Sequence, residues 1–269
     1  MPLIYGTAWK KDDTERLVAL AIRCGFRKID TACQPKHYNE AGVGAGVAAS
    51  LGAGLAREDL YLQTKFTSLS GQDPERIPYD PSAPLPKQVS QSFAASLRNL
   101  RTDYLDCMVL HSPLRTIDQT MRVWRAFEDL VDAGGVKQLG LSNCYETSQL
   151  RCLFEAARIK PAVLQNRFHA DTGYDADIRA FCRHHQIRYQ SFWTLTANPQ
   201  VLGHRSIQTV AARHDRTPAQ ILFRYLTQIG ITPLTGTRSE AHMRQDLSID
   251  EFELDAGECR ALTAILESR

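Results

Sequence analysis

The sequence predicts an α/β fold, a single-domain (β/α)8 TIM barrel that spans residues 1–269. Apolar runs of strand length alternate with segments of helical periodicity along the whole chain. Seven of these runs end on a polar or aromatic residue suited to redox chemistry, which is typical of the catalytic face of such a barrel, because its strands all end on that face. The seven runs are closed by Asp30, Lys65, His111, Ser142 with Asn143, Gln165, Phe192 and Thr235. A length of 269 residues also suits one barrel of about 250 residues.

The first half of the chain predicts four strands, with a helix after each of the first three. Leu17, Ala21 and Cys24 recur at helical spacing, and Gly25 is placed to cap the end of their helix. Five prolines exclude regular structure from residues 67–86, and this long loop leaves the catalytic face, so we expect it to cover substrate. In chain order the predicted elements are a strand over 3–6, a helix over 14–24, a strand that ends at residue 30, a helix over 40–51, a strand over 60–66, a helix over 87–100 and a strand over 104–110.

The second half continues the same alternation and completes the count of eight strands. Gly134 and Gly135 stop the fourth helix, and Thr217 followed by Pro218 is a typical helix start. The predicted elements are a helix over 117–133, a strand over 136–141, a helix over 146–158, a strand over 162–165, a helix over 176–185, a strand over 188–192, a helix in two pieces over 206–214 and 218–228, a strand over 231–234 and a terminal helix over 255–266. We expect no second domain and no long carboxyl-terminal tail.

Charge and cysteine content restrict the kinds of partner and the compartment. Lys and Arg total 32 against 30 Asp and Glu, for a net charge of +2, so the overall charge favours neither nucleic acid nor an acidic membrane as a partner. Seven scattered cysteines without a CxxC pair argue against a disulfide framework and a structural zinc site. With no amino-terminal leader and no apolar run of about 18 residues, we predict a cytoplasmic protein without membrane contact. The lack of a heptad pattern favours a monomer.

Three polar residues at strand ends form the predicted catalytic cluster. Adjacent parallel strands lie about 4.8 Å apart, so Asp30, Lys65 and His111 meet on one face of a closed barrel. A buried ammonium beside a carboxylate stays charged, and the pair can depress the pKa of a neighbouring phenol from about 10. Tyr38, on the loop after Asp30, is the available phenol. Such a phenol beside an imidazole is suited to protonating a carbonyl as hydride reaches its carbon.

Each of these residues also has a structural interpretation. Asp30 and Lys65 taken alone would form a structural ion pair, and His111 taken alone would be a capping or core histidine. Their joint placement at strand ends, with Tyr38 between them, favours catalysis.

Seven short motifs, each different, are spread along the chain and together resemble those of a known family. They are Gly6-Thr7 with Trp9, Ile29-Asp30-Thr31-Ala32, Tyr38-Asn39-Glu40, Thr64-Lys65, His111-Ser112-Pro113, Gly140-Leu141-Ser142-Asn143 and Gln165. In this order, and over essentially the whole barrel, they resemble the aldo-keto reductases, nicotinamide-dependent enzymes with an Asp, Tyr, Lys, His tetrad. The resemblance implies reduction of an aldehyde or ketone to an alcohol. It makes Tyr38 the proton donor, Lys65 the group that lowers its pKa, Asp30 the partner of Lys65 and His111 the residue that orients the small-molecule carbonyl substrate.

The same resemblance implies a nicotinamide dinucleotide along the catalytic face. Ser142, Asn143 and Gln165 would hydrogen-bond the carboxamide, and Phe192 would stack on the ring. The other implied contacts are the loop over residues 193–198, with Thr194 and Leu195, near the pyrophosphate, and Thr235, Gly236, Thr237, Arg238, His242, Gln245 and Asp246 near the adenosine. The family commonly has a lysine after the strand-eight proline, where this chain has Leu234. Arg238 can bind a phosphate in its place, so NADPH is favoured and NADH is possible.

Two further features depart from the family pattern. The loop before Tyr38 is longer than usual, so His37 and Tyr5 compete with Tyr38 for the role of proton donor. The chain also lacks an amino-terminal hairpin and a long carboxyl-terminal loop, which predicts a wide substrate pocket. Its expected walls are Trp9, Phe66 and Trp193, with Tyr79 and His169.

Other patterns in the chain have simpler interpretations. The glycines between residues 42 and 46 lack the GxGxxG spacing of a dinucleotide motif, so we assign them to helix packing. The histidines outside the cluster share no metal-ligand spacing, so we predict no metal and disfavour a metal-dependent barrel hydrolase. The alternative function is a nucleotide-binding regulatory module on the same barrel with little turnover, and the intact tetrad favours an enzyme.

Overall fold

The computed structural model describes residues 3–267, and these residues form a closed barrel of eight parallel strands, which confirms the predicted fold. The strands are β1 (Ile4–Gly6), β2 (Lys28–Asp30), β3 (Tyr61–Phe66), β4 (Cys107–Leu110), β5 (Leu139–Ser142), β6 (Val163–Arg167), β7 (Arg188–Phe192) and β8 (Thr232–Thr235). Each strand pairs with the next, and β8 pairs with β1. Because all the strands run the same way, their carboxyl ends form one rim, where side chains from distant parts of the sequence meet.

Helices surround the barrel and cover its outer surface. They are α1 (Thr14–Cys24), α2 (Glu40–Leu51), α3 (Leu85–Leu100), α4 (Ile117–Asp132), α5 (Thr147–Ala156), α6 (Ala176–His184), α7 (Pro199–Leu202), α8 (Arg205–His214), α9 (Pro218–Gln228), α10 (Glu240–Leu247) and α11 (Ala256–Glu267). In α1 the apolar side chains Leu17, Val18 and Ile22 are buried on one face, and such burial stabilises a short helix more than its intrinsic propensity does. Across residues 3–267, no helix has the length and apolar character needed to cross a membrane.

The glycine-rich segment of α2 allows three helices to pack closely, as expected. A Cβ on Gly44 would lie 2.0 Å from the carbonyl oxygen of Asn99 in α3. A Cβ on Gly46 would lie 2.7 Å from the carbonyl oxygen of Glu15 in α1. Backbone atoms cannot yield to contacts this short, so α2 fits between α1 and α3 only with glycine at both positions.

Some element boundaries differ from the predictions. α3 begins at Leu85, two residues before the predicted start, because Pro86 then falls in the first turn, where a helix tolerates proline. β4 and β5 each begin three residues later than predicted, since the chain before them makes only an isolated bridge between Leu105 and Val136. The short helix α7 was not predicted, and it lies in the connection after β7.

Candidate active site

A cavity of about 870 Å³ opens on the rim where the strands end. Its volume lies in the range of pockets that hold small organic ligands, roughly 300–1,000 Å³. Asp30 at the end of β2, Tyr38 on the connection after β2 and His111 directly after β4 all line it. Lys65 of β3 is fully buried behind this surface and contacts Asp30. The structure therefore brings the four predicted catalytic residues together.

Lys65 and Asp30 form a buried ion pair at the centre of the cluster. Lys65 Nζ donates to Asp30 Oδ1 at 2.7 Å, to Asp30 Oδ2 at 2.6 Å and to the carbonyl oxygen of Thr31 at 2.9 Å, so the ammonium is surrounded by acceptors. Burial lowers the pKa of Lys65, but the Asp30 carboxylate and the Tyr38 phenol more than offset this, and the pKa is raised. Lys65 is therefore positively charged at neutral pH.

Two buried glutamines donate to the Asp30 carboxylate, and a third buried glutamine holds these two in place. Gln63 Nε2 and Gln165 Nε2 donate to Asp30 Oδ1 at 2.7 and 2.9 Å. Each of these amides also donates to Gln190 Oε1 at 2.9 Å. Gln63 and Gln190 were not predicted from the sequence. The available signal was that Gln63 lies two residues before Lys65, because residues two apart in a strand share a face.

Tyr38 reaches the cluster despite the longer loop before it. The centroid of its ring lies 5.3 Å from Lys65 Nζ and 6.1 Å from the centroid of the His111 ring, which it meets edge to face. Burial raises the pKa of Tyr38 above its usual value, although Lys65 acts to lower it. The expectation that this pKa is depressed is therefore wrong, because the loss of water outweighs the nearby ammonium. The phenol keeps its proton at neutral pH.

The two other candidates for proton donor have different surroundings. The Tyr5 hydroxyl donates to the carbonyl oxygen of Thr237 at 2.9 Å, and Tyr5 does not line the cavity. His37 lines the cavity, but its ring lies 4.0 Å from the ring of Trp9 and its Nδ1 lies 3.1 Å from Gln34 Oε1. In the described part of the chain, neither residue shares a hydrogen bond or a ring contact with Lys65.

His111 is a neutral imidazole beside a positive charge. Its Nδ1 lies 2.6 Å from the Oγ1 of Thr67, and its carbonyl oxygen accepts from Asn143 Nδ2 at 2.8 Å. Burial, together with the charge of Lys65, lowers the pKa of His111 to about 3. Thr67 was not predicted as a site residue, although its position directly after β3 placed it at the rim. A neutral ring of this kind has one nitrogen that donates a hydrogen bond and one that accepts.

The four residues expected to hold the nicotinamide line the same cavity. They are Ser142, Asn143, Gln165 and Phe192. Ser142 Oγ donates to the carbonyl oxygen of Gln165 at 2.6 Å, and Asn143 has a left-handed backbone with φ of 51°. Gln165 Nε2 donates to Asp30 and to Gln190. The other polar atom of this side chain, Oε1, can therefore accept a hydrogen bond from a ligand in the cavity.

The other end of the cavity is lined by the residues expected near the pyrophosphate and adenosine, with one exception. The lining residues are Thr194, Leu195, Thr235, Gly236, Thr237, His242, Gln245 and Asp246. Asp246 accepts a hydrogen bond from Thr235 Oγ1 at 2.7 Å, and burial raises its pKa to about 6. Arg238 is the exception, because its guanidinium forms a surface ion pair with Asp13 and does not line the cavity.

Two of the five expected wall residues stand at the mouth of the cavity. Trp9 and Trp193 both line it, with 52% and 48% of their surface exposed. Phe66 does not line the cavity, and its ring packs against Phe127 and Tyr79 with centroids 6.4 and 5.6 Å away. The prediction of Phe66 as a substrate wall is therefore wrong. Side chains alternate along β3, so Phe66 points to the helices because its neighbour in the strand points into the barrel.

The proline-rich loop and His169 also lie away from the cavity. None of the described residues from 67 to 86 lines it, and His169 Nδ1 lies 3.4 Å from Asp171 Oδ2. The Tyr79 hydroxyl and Gln72 Nε2 donate to the carbonyl oxygen of Thr67 at 2.7 and 3.1 Å. The expectation that this loop covers substrate is wrong in this structure. These internal bonds hold the loop, together with two bonds to the connection after β2, from Gln72 Nε2 to the carbonyl oxygen of Cys33 at 2.9 Å and from Gln34 Nε2 to that of Gly71 at 2.6 Å.

The cavity suits a nicotinamide dinucleotide in its volume and in the chemistry of its lining. At one end, Gln165 Oε1 can accept a hydrogen bond from the carboxamide NH2 group, and the Asn143 amide can donate one to the carboxamide oxygen. The ring of Phe192 lines the same end. At the other end, the hydroxyl of Thr237 and the carboxylate of Asp246 match ribose hydroxyls and an adenine amino group. These residues would hold the cofactor.

Comparisons with known proteins agree with this geometry. Residues 2–198 match the model of the Aldo/keto reductase family. The glyoxal reductase of Bacillus subtilis is 30% identical over 248 residues, which cover 92% of this chain and 82% of that protein. The probable NAD(P)H-dependent D-xylose reductase xyl1 of Emericella nidulans is 30% identical over 302 residues, which cover 98% and 89%. A crystal structure of an aldo/keto reductase from Brucella melitensis has a TM-score of 0.83 and 29% identity, covering 98% of this chain and 94% of that chain.

Proposed function

We propose, from the premise that the chain is a member of the aldo/keto reductase family and an NAD(P)H-dependent oxidoreductase that reduces carbonyl compounds, a more specific function. The protein uses NADPH to reduce an aldehyde or ketone to an alcohol, and Tyr38 is the proton donor. One observation carries this proposal. A protonated phenol, Tyr38, lies beside the charged Lys65 and the neutral His111 at the lining of a cavity that fits the cofactor. This is the equipment that general acid catalysis of carbonyl reduction requires.

Each residue of the cluster has a separate task in the proposed mechanism. His111 donates a hydrogen bond to the carbonyl oxygen and so fixes the carbonyl next to Tyr38. When bound, the reduced nicotinamide supplies the hydride to the carbonyl carbon. Tyr38 transfers its proton to the carbonyl oxygen, and Lys65 stabilises the phenolate that remains, because the ammonium lies 5.3 Å from the ring.

Asp30 keeps this arrangement ready for the reaction. Its carboxylate holds Lys65 in the charged form, and the amides of Gln63 and Gln165 fix the carboxylate in place. Preset charges of this kind need no reorganisation during the reaction, which is where much of the catalytic effect of a polar site arises.

We propose NADPH as the preferred reductant, with Arg238 as the residue that meets its 2′-phosphate. Arg238 follows directly on Thr237, which lines the cavity, and its side chain is half-exposed. An exposed ion pair contributes little, so the guanidinium can exchange Asp13 for a phosphate. A guanidinium grips phosphate with two parallel hydrogen bonds, which would favour NADPH over NADH.

The substrate we propose is a small-molecule aldehyde or ketone. Two relatives are named for the reduction of glyoxal and D-xylose, and both are small carbonyl compounds. We further propose that the protein works as a monomer in the reducing cytoplasm, and the seven free cysteines support that compartment.

The first experiment follows the absorbance of NADPH, and of NADH in parallel, with a panel of small aldehydes, α-keto esters and ketones. For Tyr38→Phe we expect kcat to fall by about 10²–10⁴-fold, because the proton donor is lost. We expect the Kd for NADPH to stay unchanged, since the ring remains.

Tyr225→Phe is the matched control, because it removes a buried phenol hydroxyl that bonds Thr263 between α9 and α11, away from the cavity. Its kcat should equal that of the unmodified protein. Unchanged turnover in Tyr38→Phe would remove Tyr38 from the mechanism. Absence of NADPH oxidation with every carbonyl, in a protein that binds NADPH, would contradict the proposed reduction itself.

A further inference from the structure

Thr67 makes a single side-chain hydrogen bond, and that bond involves His111. The Thr67 Oγ1 lies 2.6 Å from His111 Nδ1 and has no other hydrogen-bond partner in residues 3–267. Thr67 is buried, with 4% of its surface exposed. Its backbone is fixed as well, because its carbonyl oxygen accepts hydrogen bonds from Tyr79 and Gln72. The hydroxyl is therefore held rigidly against one nitrogen of the imidazole.

The direction of this hydrogen bond follows from counting donors. The imidazole is neutral, because burial and Lys65 lower the pKa of His111 to about 3, so only one of its nitrogens carries hydrogen. If Nδ1 carried it, the ring would donate to Thr67 Oγ1, and the hydroxyl hydrogen of a buried threonine would have no acceptor. If Nε2 carries it, the hydroxyl donates to Nδ1 and no buried donor lacks a partner. Buried donors without partners are costly, so the second arrangement is the stable one.

We propose that Thr67 is a positioning residue that fixes His111 in the tautomer with its hydrogen on Nε2. Nδ1 is occupied by Thr67, and His111 lines the cavity, so Nε2 is the nitrogen left to meet a ligand. In this tautomer the ring donates a hydrogen bond to a carbonyl oxygen. In the other tautomer it offers a lone pair, which repels that oxygen. The inference rests on the proposed function, since it explains how His111 acts as a donor there.

The decisive experiment measures the tautomer directly. Nitrogen-15 NMR of histidine-labelled protein distinguishes a ring nitrogen that carries hydrogen from one that does not, and the His111 signals are assigned as those missing from His111→Asn. In the unmodified protein we expect hydrogen on Nε2 and none on Nδ1. Thr67→Ser keeps the hydroxyl and should keep both the tautomer and the turnover.

Thr67→Val has nearly the same shape but lacks the hydroxyl, so the ring should populate both tautomers. We expect kcat to fall about tenfold, as for the loss of one positioning hydrogen bond, with an unchanged Kd for NADPH. A hydrogen on Nδ1 in the unmodified protein would overturn the inference, as would a Thr67→Val protein with unchanged tautomer and unchanged kcat.

The test separates this inference from the function on which it rests. The NMR measurement on the unmodified protein needs no turnover and no variant of Thr67, so it decides the tautomer even if Thr67→Val does not fold. A protein with the expected tautomer but no carbonyl reduction would contradict the proposed function alone. An active protein with hydrogen on Nδ1 would contradict the tautomer alone.

Discussion

At one end of the cavity a buried ion pair stands on two strands, whereas at the other end the polar groups stand on the end of β8, on the loop after it and on α10. Asp30 and Lys65 belong to β2 and β3 and are almost completely buried, with hydrogen bonds of 2.6–2.7 Å between them. At the far end, Thr235 ends β8 and Asp246 lies in α10. Arg238, three residues after Thr235 in the chain, is half-exposed and pairs with Asp13 on the protein surface.

This difference between the two ends suggests two tasks: the reacting end carries out proton transfer, and the far end determines which nucleotide binds. Strands in a closed barrel hold side chains precisely, so the ion pair of Asp30 and Lys65 beside Tyr38 is fixed before the reaction. A loop with an exposed ion pair changes its contacts at little cost, so the far end can adapt to the nucleotide that is present. We expect substitutions at the reacting end to remove activity and stability together, and those at the far end to change affinity or pH dependence.

The largest expected effect is that of Lys65→Met. It removes the charge that stabilises the Tyr38 phenolate and leaves the Asp30 carboxylate buried without its cation. We expect kcat to fall by at least about 10³-fold and the free energy of unfolding to fall by about 3 kcal/mol. Turnover assays and urea unfolding measure the two losses.

The double variant Asp30→Asn with Lys65→Met separates these two losses. Because neither charge remains, most of the lost stability should return, while turnover stays low. If the double variant were as unstable as Lys65→Met, the unpaired carboxylate would not be the cause.

An intermediate effect is expected at Asp246 of the far end. Burial raises its pKa to about 6, so the folded protein binds the proton more tightly than the unfolded chain, whose carboxyl has a pKa of about 3.9. The ionised carboxylate therefore destabilises the fold above pH 6, and this cost disappears below about pH 4. Asp246→Asn removes it and can still accept from Thr235.

Urea unfolding of Asp246→Asn and the unmodified protein over a pH series tests this. We expect the variant to be more stable by up to about 3 kcal/mol at pH 8, and the gain to shrink as the pH falls through 6. An equal gain at every pH would show that packing, and not the ionisation of Asp246, is responsible.

The smallest expected effect is that of Asp13→Asn, which sharpens the account of cofactor choice. Without the carboxylate, Arg238 is free to meet the 2′-phosphate, so we expect the affinity for NADPH to rise about two- to fivefold. The affinity for NADH should stay constant. Asp12→Asn is the matched control, because it removes a neighbouring charge with no ion pair to Arg238. A parallel rise for NADH would show that the released arginine does not read the phosphate.

The reacting end was easier to predict from the sequence than the far end. Asp30, Lys65 and His111 end apolar runs, which is visible in the local sequence. A closed barrel brings the carboxyl ends of its strands onto one rim, so these residues must lie close together. The closed barrel of eight parallel strands was predicted correctly for the same reason. Thr67 and Gln190 were missed because their partners are distant in the sequence. Thr67 bonds His111, 44 residues away, and Gln190 bonds Gln63, 127 residues away.

The errors also have physical causes. Phe66 was predicted as a wall of a wide substrate pocket, but side chains alternate along a strand, so Phe66 faces away from the pocket that Lys65 approaches. The partner of Arg238 is 225 residues distant in the chain, and no local pattern shows such a contact. The pKa of Tyr38 was misjudged because charge is visible in a sequence, whereas burial depends on the completed fold.

The placement of the three tryptophans gives the protein a built-in optical signal. Trp9 and Trp193 are half-exposed at the cavity mouth, whereas Trp124 is fully buried and donates through Nε1 to the carbonyl oxygen of Ile159 at 3.0 Å. Filling the cavity changes the surroundings of two indoles and leaves those of the third alone. We therefore expect native fluorescence to change when a ligand enters or leaves the cavity, without any attached dye.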